Sequence, residues 1–339
     1  MKKAIFTIFV ILLSYGSTCT AYEVTLKYAC HTAENDMFAQ LVTQPLFADI
    51  TKATQGYVNV EGHYGESLVK HNEMWEKLAD GSVDIGLVIS SVFYEKTPLS
   101  NVMDLPTLPH NVVADGHAGA MWHIYEKHPE MQAEYLSKGI RPLLFFSPGP
   151  EFLFTSKPVA KLEDLKGIRL VSESPITIKQ FEFFDTANIY KGQLYDIFAL
   201  RSEEACGFIA PADHFVLWNM EHITPYATIA PLGSTYITIA MSEKQWQKLP
   251  AEVREQIMDA CGEAASRRYS AAYFNHFRKI MRANSELTIV TLTPEERQRW
   301  VYLNQPLVDE WLAVCTTQDL GEVAQKIYAD LQNVKVTEP

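Results

Sequence analysis

The order of apolar and polar residues predicts strands that alternate with helices along the chain. Residues 24–29 and 57–64 alternate apolar and polar side chains, as a strand with one buried face does. Residues 35–53 place apolar side chains at helical spacing, and residues 85–89 form an unbroken apolar run, typical of a buried parallel strand. Further elements are predicted at residues 72–78 (helix), 113–136 (helix) and 141–146 (strand). This order favours an open α/β sheet with helices on both faces.

A second α/β unit is predicted to begin near Gly149. Residues 235–241 again have the pattern of a strand, which could return the chain to the first unit. The elements predicted between these points are strands at residues 152–154, 168–171 and 206–209, and helices at residues 176–184 and 195–203.

A long helix is predicted over residues 250–283, where Pro250 opens a segment rich in Ala, Arg and Glu that only Gly262 interrupts. It is much longer than the usual three-turn helix, so we expect it to span both units. The expected division is lobe 1 at residues 22–148 plus about 232–290, lobe 2 at residues 149–231, and C-terminal helices that pack on the lobes at residues 291–339.

The N-terminal residues have the pattern of a secretory signal. Lys2 and Lys3 precede an apolar run at residues 4–13, and small and polar residues follow as far as Ala21. The run is too short for a bilayer span, which needs about 20 apolar residues. We therefore expect cleavage near Ala21 (a signal peptide at residues 1–21) and an exported mature chain.

Composition and charge narrow the function. The chain has 339 residues, 47% of them hydrophobic and 21% charged, which is typical of a globular protein of about two domains. Its net charge is −12, and would be −14 without Lys2 and Lys3. Because no run of basic residues is present, a nucleic-acid partner is not expected.

The search for chemical motifs gives few candidates. Neither a glycine-rich phosphate loop nor an HExxH motif occurs, and the cysteines lack CxxC spacing, so we expect no cofactor and no metal site. Cys261 and Cys315 could form a disulfide if two C-terminal helices lie side by side, although the four cysteines that remain without residues 1–21 allow three pairings. The histidines at 110, 117, 123 and 128 are interpreted as a solvated helix face and not as a metal cluster.

Several segments, in this order and spacing, resemble the solute-binding proteins of tripartite ATP-independent periplasmic (TRAP) transporters of the DctP type. They are LADGSVDIG (78–86), DLP (104–106), TSKPV (155–159), LEDLKGIRL (162–170) and SEKQW (242–246). The resemblance implies a two-lobed, periplasmic-binding-protein-like α/β fold with a long helix across both lobes. It further implies a periplasmic, monomeric protein that closes on a small molecule and delivers it to a membrane permease driven by a sodium gradient.

The sequence departs from this family at three positions that usually bind an anion. The family's arginine after the LEDLKGIRL segment is replaced by Val171, a second, commonly basic position by Glu151, and an asparagine before a proline by Ala210. A carboxylate bound there would lose its hydration without gaining a partner. The departures therefore predict a ligand that is not an ordinary carboxylate.

Two classes of ligand remain open. A cationic or amine-bearing solute would use Glu151 as its counter-charge and aromatic faces for cation–π contacts. A neutral, apolar or aromatic solute would instead pack against Phe152, Val171 and Ala210, with Glu151 in solvent. The aromatic candidates are Phe93, Phe145, Trp218 and Tyr236, and the hydrogen-bonding candidates are His31, Ser90, Ser91 and Gln193.

Two alternatives concern the type of protein. The same binding unit could serve a membrane receptor as a sensor. An exported hydrolase would need Ser90 or Ser91 as nucleophile and His31 as base, but neither an orienting carboxylate nor an elbow motif accompanies them. We therefore expect a binding protein and not an enzyme.

Overall fold

The computed structural model describes residues 23–108, 113–184, 188–192, 196 and 205–334. The strands are β1 (Val24–Ala29), β2 (Val58–His63), β3 (Ile85–Ile89), β4 (Ile140–Phe146), β5 (Phe152–Thr155), β6 (Arg169–Ser172), β7 (Asn188–Lys191), β8 (Cys206–Ala210), β9 (Tyr226–Ile229), β10 (Ile237–Ser242) and β11 (Thr288–Thr291).

The helices of the described residues are also numbered in chain order. They are α1 (Gln44–Ala53), α2 (Met74–Asp80), α3 (Ala114–Lys127), α4 (Pro129–Leu136), α5 (Pro175–Phe184), α6 (Ala212–Leu217), α7 (Glu243–Trp246), α8 (Ala251–Ala260), α9 (Gly262–Ala283), α10 (Pro294–Leu303), α11 (Gln305–Thr317) and α12 (Gly321–Asn333). A π-helical turn (Ala39–Thr43) precedes α1, and short 3₁₀ helices occupy His71–Glu73, Tyr94–Lys96, Ser100–Asp104, Leu162–Leu165 and Met220–His222.

The first sheet has the strand order β2-β1-β3-β10-β4. Strands β1, β2 and β3 are parallel, and β10 lies antiparallel between β3 and β4. Ile239 at the centre of β10 is opposite Leu87 and Leu144, and all three are fully buried. The segment around residue 238 therefore returns the chain to the first sheet, as its alternating pattern indicates.

The second sheet has the order β11-β9-β5-β8-β6-β7. Its core is aromatic, because the Phe154 ring stacks on Phe208 and on Phe215 with centroids 4.9 Å apart in both pairs. The chain enters this sheet after β4, leaves it after β9, and re-enters at β11 after the long helix. The two sheets and the helices around them therefore form a two-lobed α/β fold.

The predicted 250–283 helix is two helices, α8 and α9. They break at Cys261, where Gly262 has φ +71°, a conformation that glycine adopts at little cost. The 113–136 helix likewise divides before Pro129, because a residue that precedes proline is disfavoured in the α conformation. The prediction of one continuous helix is wrong in both places.

Helix α9 nevertheless contacts the first sheet and α6 of the second lobe along its 22 residues, about 33 Å. The Oγ atoms of Ser266 and Ser270 accept hydrogen bonds from the backbone N–H groups of Phe145 and Ser147, at the end of the first sheet. The Tyr273 hydroxyl, less than one turn on, donates to Asp213 beside the second sheet. This helix therefore connects the two lobes.

The C-terminal helices pack on both lobes. Trp300 of α10 packs edge-on against Phe184, 5.1 Å away and beside the second sheet, while Trp311 of α11 donates to the Pro98 carbonyl at 2.7 Å. All four described cysteines are free and buried, so the pairing of Cys261 with Cys315 is wrong.

Two of the four histidines expected on a solvated helix face are buried instead. His117 is 1% exposed, and burial lowers its pKa to about 4, while its Nε2 lies 3.0 Å from the Met103 carbonyl. His128 is also buried, 2.8 Å from Asp330. His123 is exposed as expected, and His110 lies outside the described residues. Within the described ranges, no helix has both the length and the apolar character that crossing a membrane would need.

Replacing Gly149 by Ala is expected to lower the free energy of unfolding by about 2 kcal/mol or more. Gly149 has φ +109° at the first crossing between the lobes, and an added Cβ would lie 2.3 Å from the Phe274 ring. Urea unfolding measures the loss. The matched control is Gly65→Ala, which also has a positive φ but no atom within 4 Å of the added Cβ. Equal losses for both variants would contradict the steric argument.

Candidate functional site

A cavity of about 290 Å³ lies between the two sheets. It is formed where parallel strands end: His31 follows β1, Ser91 follows β3, Glu173 follows β6, and Pro211 follows β8. The carboxyl ends of strands are the usual binding edge of open α/β sheets. Tyr273 of α9 completes the lining, so both lobes and the long helix contribute to the cavity.

Most of the cavity wall is apolar. Its apolar side chains come from the segment before α1, from strands of the first sheet, and from β8 and α6 of the second lobe. They are Met37, Phe38, Leu87, Ile89, Phe146, Ile209, Leu217 and Ile237.

The charged groups of the cavity are acidic. Asp36, Glu151, Glu173 and Asp213 all line it, whereas none of the described residues in the lining is Lys or Arg. The nearest cationic candidates are imidazoles, of which His214 has a pKa above its usual value. Among the described lining residues, four carboxyl groups therefore face two imidazoles, and the acidic groups predominate.

Glu151 is held inside the cavity wall. Its side chain is 5% exposed, and its two carboxylate oxygens accept hydrogen bonds from Thr177 at 2.9 Å and Thr235 at 3.4 Å. Burial raises the pKa of Glu151 and outweighs the two hydroxyl contacts, which lower it. The carboxylate is a poorly compensated buried charge, so the suggestion that Glu151 points into solvent is wrong.

Asp213, which is buried, and His214, which is half-buried, form a pair beside Glu151. The His214 Nδ1 lies 3.0 Å from the Asp213 Oδ1, and the Tyr273 hydroxyl donates to Oδ2 at 2.8 Å. Burial alone would raise the pKa of Asp213, but His214 and Tyr273 together hold it below its usual value. Burial likewise opposes the charge on His214, yet Asp213, Glu173 and Glu151 raise its pKa. The two residues therefore form an ion pair in which each partner favours the charged form of the other.

Four of the predicted site residues line the cavity: His31, Ser91, Glu151 and Ala210. The imidazole of His31 is exposed and lies 5.8 Å from that of His71. Ala210 ends β8 at the floor of the cavity, where the family's amide is absent. Contact of these residues with a ligand stays a prediction.

Seven of the remaining predicted residues lie in the described part of the chain, and none of them lines this cavity. Phe145 and Tyr236 are core residues of the first lobe, in edge contact at 6.4 Å, and Phe93 packs on Trp75 at 5.8 Å. Val171 is fully buried on β6, so this position offers a ligand neither a charge nor a surface. Their strong apolar character, which suggested ligand contact, instead places them in the core.

Four further predictions have other outcomes. The Trp218 ring lies 5.6 Å from the His214 ring, behind the cavity wall. Phe152 lines a second, separate cavity. Ser90 is 4% exposed beside Ser91, and Gln193 lies outside the described residues.

The sequence interpretation missed Asp36, Glu173, Asp213 and His214. The last two follow Ala210-Pro211 directly, so the family segment that identified Ala210 contained a signal for them. Glu173 likewise lies two positions after Val171, so the LEDLKGIRL segment contained a signal for it, whereas no family segment contains Asp36.

The described part of the chain contains neither a group of side chains placed to bind a metal nor a hydrogen bond between His31 and the two predicted serines. It contains no group of three or more His, Cys, Asp or Glu side chains placed to hold a metal ion. The hydroxyls of Ser90 and Ser91 form no hydrogen bond with His31 in these residues, and the Ser90 hydroxyl has no partner there. The proposed hydrolase pair is therefore not assembled in this structure.

Comparisons with known proteins identify the family. A family model described as bacterial extracellular solute-binding protein, family 7 (DctP), matches residues 29–313. A C4-dicarboxylate-binding periplasmic protein of Vibrio cholerae is 23% identical over 301 residues, 86% of this chain and 87% of that protein.

Two solved structures share the fold. A TRAP periplasmic solute-binding protein of Desulfovibrio salexigens, solved as an open complex, has TM-score 0.83, 21% identity and 93% and 98% coverage of this chain and that chain. A marine metagenome TRAP solute-binding protein specific for aromatic acid ligands, solved with 3-hydroxybenzoate, has TM-score 0.79, 18% identity and 92% and 98% coverage. These findings confirm the resemblance and the two-lobed fold: the chain belongs to the bacterial extracellular solute-binding protein family 7, the DctP-type solute-binding proteins of TRAP transporters.

Proposed function

We propose that this TRAP solute-binding protein captures a small organic amine with an apolar body in the cavity between its lobes. The supporting observation is the charge of the lining: four carboxylates and no Lys or Arg among the described residues. Unit charges about 4 Å apart near a protein surface interact by roughly 4 kcal/mol, so the sign of the ligand's charge dominates selection. An ammonium group is attracted, whereas a carboxylate is repelled.

Glu151 is the group that we assign to the ammonium. Among the described residues its buried carboxylate forms no ion pair, although His214 is near enough to lower its pKa, while Asp213 is paired directly with His214. A bound cation would keep Glu151 ionised and would replace the hydration that the carboxylate has lost. Asp36 and Glu173 strengthen the same potential from either side of the cavity.

The size and walls of the cavity support a ligand of about one ring. An apolar cavity of about 150 Å³ already holds benzene, and this one measures about 290 Å³ with eight apolar side chains around it. A ring with a short amine-bearing chain therefore fits. The aromatic acid named with the marine relative would share the ring and differ in the sign of the polar group.

The other parts of the proposal rest on the family. The amine would be delivered to a TRAP permease from the periplasm, where the related Vibrio protein is named as periplasmic. Residues 1–21 would act as the export signal, and the binding protein would work as a monomer. Lobe 1 would comprise residues 22–148 with about 232–290 and lobe 2 residues 149–231, except that β11 at residues 288–291 pairs in the second sheet.

A thermal-shift screen tests the ligand class. Arylalkylamines, aliphatic amines, polyols, aromatic acids and dicarboxylates are compared at equal concentration. A ligand at a hundredfold excess over Kd stabilises by about 2.7 kcal/mol, which corresponds to a rise in Tm of about 4 °C. We expect that rise for arylalkylamines and no rise for the acids. Strong stabilisation by acids, with none by amines, would contradict the proposal.

A further inference from the structure

A second cavity of about 210 Å³ lies on the other side of segment 150–152 from the amine site. The segment separates the two cavities, because Glu151 lines both while Phe152 lines only this one. Its apolar walls include Leu232 from the second crossing between the lobes, and Phe274 and Met281 of α9. The cavity is therefore built from the long helix and the chain segments that join the lobes.

Three arginines line this cavity: Arg278 and Arg282, one turn apart on α9, and Arg297 on α10. Within the described residues, none of them forms an ion pair with a carboxylate, although the protein has a net charge of −12. Arg278 donates to the Asn275 side chain at 2.8 Å and lies over the Phe274 ring, and it is half-buried. Glu151 is the one carboxylate among the described lining residues, and its oxygens are bonded to Thr177 and Thr235 and not to these arginines. The guanidinium groups therefore have unused capacity for an anion.

The same cavity exposes apolar side chains. Ile229 of β9 and Ile289 of β11 line it and are 40% and 39% exposed. The two strands pair, so these side chains form one surface at the edge of the second sheet. Apolar surface next to cationic groups in a concave site matches a molecule with an apolar body and an anionic head.

We propose that this cavity, the arginine pocket, binds a small organic anion with an apolar body, such as an aryl carboxylate or sulfonate. The guanidinium groups of Arg282 and Arg297 would bind the head, and the isoleucines and Phe152 would contact the ring. The volume suits one ring, since about 150 Å³ is enough for benzene. A cavity of about 210 Å³ has room for a small molecule but not for a folded segment of the permease.

The two sites have opposite charge, so their ligands are distinguishable. The amine site lacks Lys and Arg in its described lining, whereas the arginine pocket has three arginines. The arginine pocket does not depend on the proposed amine function, and either could be wrong while the other holds.

The test titrates the full mature protein with benzenesulfonate and benzoate by calorimetry. The double variant Arg282→Gln/Arg297→Gln is compared with Lys52→Gln/Lys326→Gln, which removes the same charge at two exposed sites outside both cavities. We expect binding to the wild-type and control proteins, and an affinity at least tenfold lower in the arginine variant. Equal affinity in both double variants would overturn the proposal.

A crystal soaked with 3-iodobenzoate locates the anion through the anomalous signal of iodine. A peak between Arg278, Arg282 and Arg297 supports the proposal. A peak beside His31 and Ala210 instead would overturn it, and would contradict the amine site as well. If no small anion binds but the arginine variant loses transport with an intact permease, the pocket is a protein-docking surface and the proposal is wrong.

Discussion

Replacing Glu151 by Gln is expected to weaken the binding of an arylalkylamine by about 100-fold or more. The substitution keeps the size of the side chain and one acceptor oxygen for Thr177 or Thr235, while its NH₂ group can donate to the other hydroxyl, but it removes the negative charge. Removing one charge from a buried pair costs several times more free energy than removing one charge from an exposed pair, because the remaining buried charge stays desolvated. Calorimetric titration of the variant with the amine found in the screen measures the loss.

The same variant should fold at least as stably as the wild-type protein at pH 7. Burial raises the pKa of Glu151, so its contribution to stability is full below the unfolded-state pKa and is lost as the pH rises through the folded-state pKa. A neutral glutamine does not have this loss. The control is Glu95→Gln, an exposed carboxylate outside the cavity, which should change neither affinity nor stability. Unchanged amine affinity in Glu151→Gln would show that the cavity binds the ligand as a neutral solute and does not recognise its positive charge.

Replacing Asp213 by Ala is expected to lower the free energy of unfolding by about 3–5 kcal/mol. The change leaves the buried Tyr273 hydroxyl and the His214 imidazole without their common partner. Because Tyr273 lies on the helix that connects the lobes, the loss also loosens the contact between that helix and the second lobe. Urea unfolding gives the free energy, and Tyr273→Phe is the control, expected to lose only about 1 kcal/mol.

The pH dependence of Asp213→Asn distinguishes an ion pair from simple packing. The pKa of Asp213 is lowered, so its contribution is present above the unfolded value near 3.9 and is lost as the pH falls through the folded value. The pKa of His214 is raised, so its contribution is full below about 6.5 and is lost as the pH rises through the folded value. The variant should therefore differ most from the wild-type protein between about pH 4 and 6.5. A difference that is constant from pH 4 to 9 would contradict the ion pair.

Local patterns predicted most of the central strands. The apolar run that became β3 and the alternation that became β1 report burial on a sheet, which the residues themselves encode. The short strands β7, β9 and β11 were not predicted, because four residues of mixed character are too few for a period. Gly262 and Pro129 were present in the sequence, but only the folded chain decides whether such a residue is tolerated or breaks a helix.

The candidate site was predictable only in part. The family segments pointed to Glu151 and Ala210, which both line the cavity. The aromatic candidates Phe145 and Tyr236 are in the core, because an apolar strand residue has the same local signature whether it contacts a ligand or another side chain. The acidic character of the cavity is a tertiary property, since Asp36 is more than a hundred positions from Glu173.

The most direct measurement compares two ligands of matched shape, phenethylamine and phenylacetate, by calorimetric titration at pH 6 and pH 8. The account predicts that the amine binds and that its affinity increases from pH 6 to pH 8, because a higher pH favours the charged form of Glu151 and the neutral form of His214. The acid should bind the cavity between the lobes at neither pH. Tight binding of phenylacetate in that cavity would contradict the account. Binding there would be recognised by an affinity that Glu151→Gln increases and that Arg282→Gln/Arg297→Gln leaves unchanged.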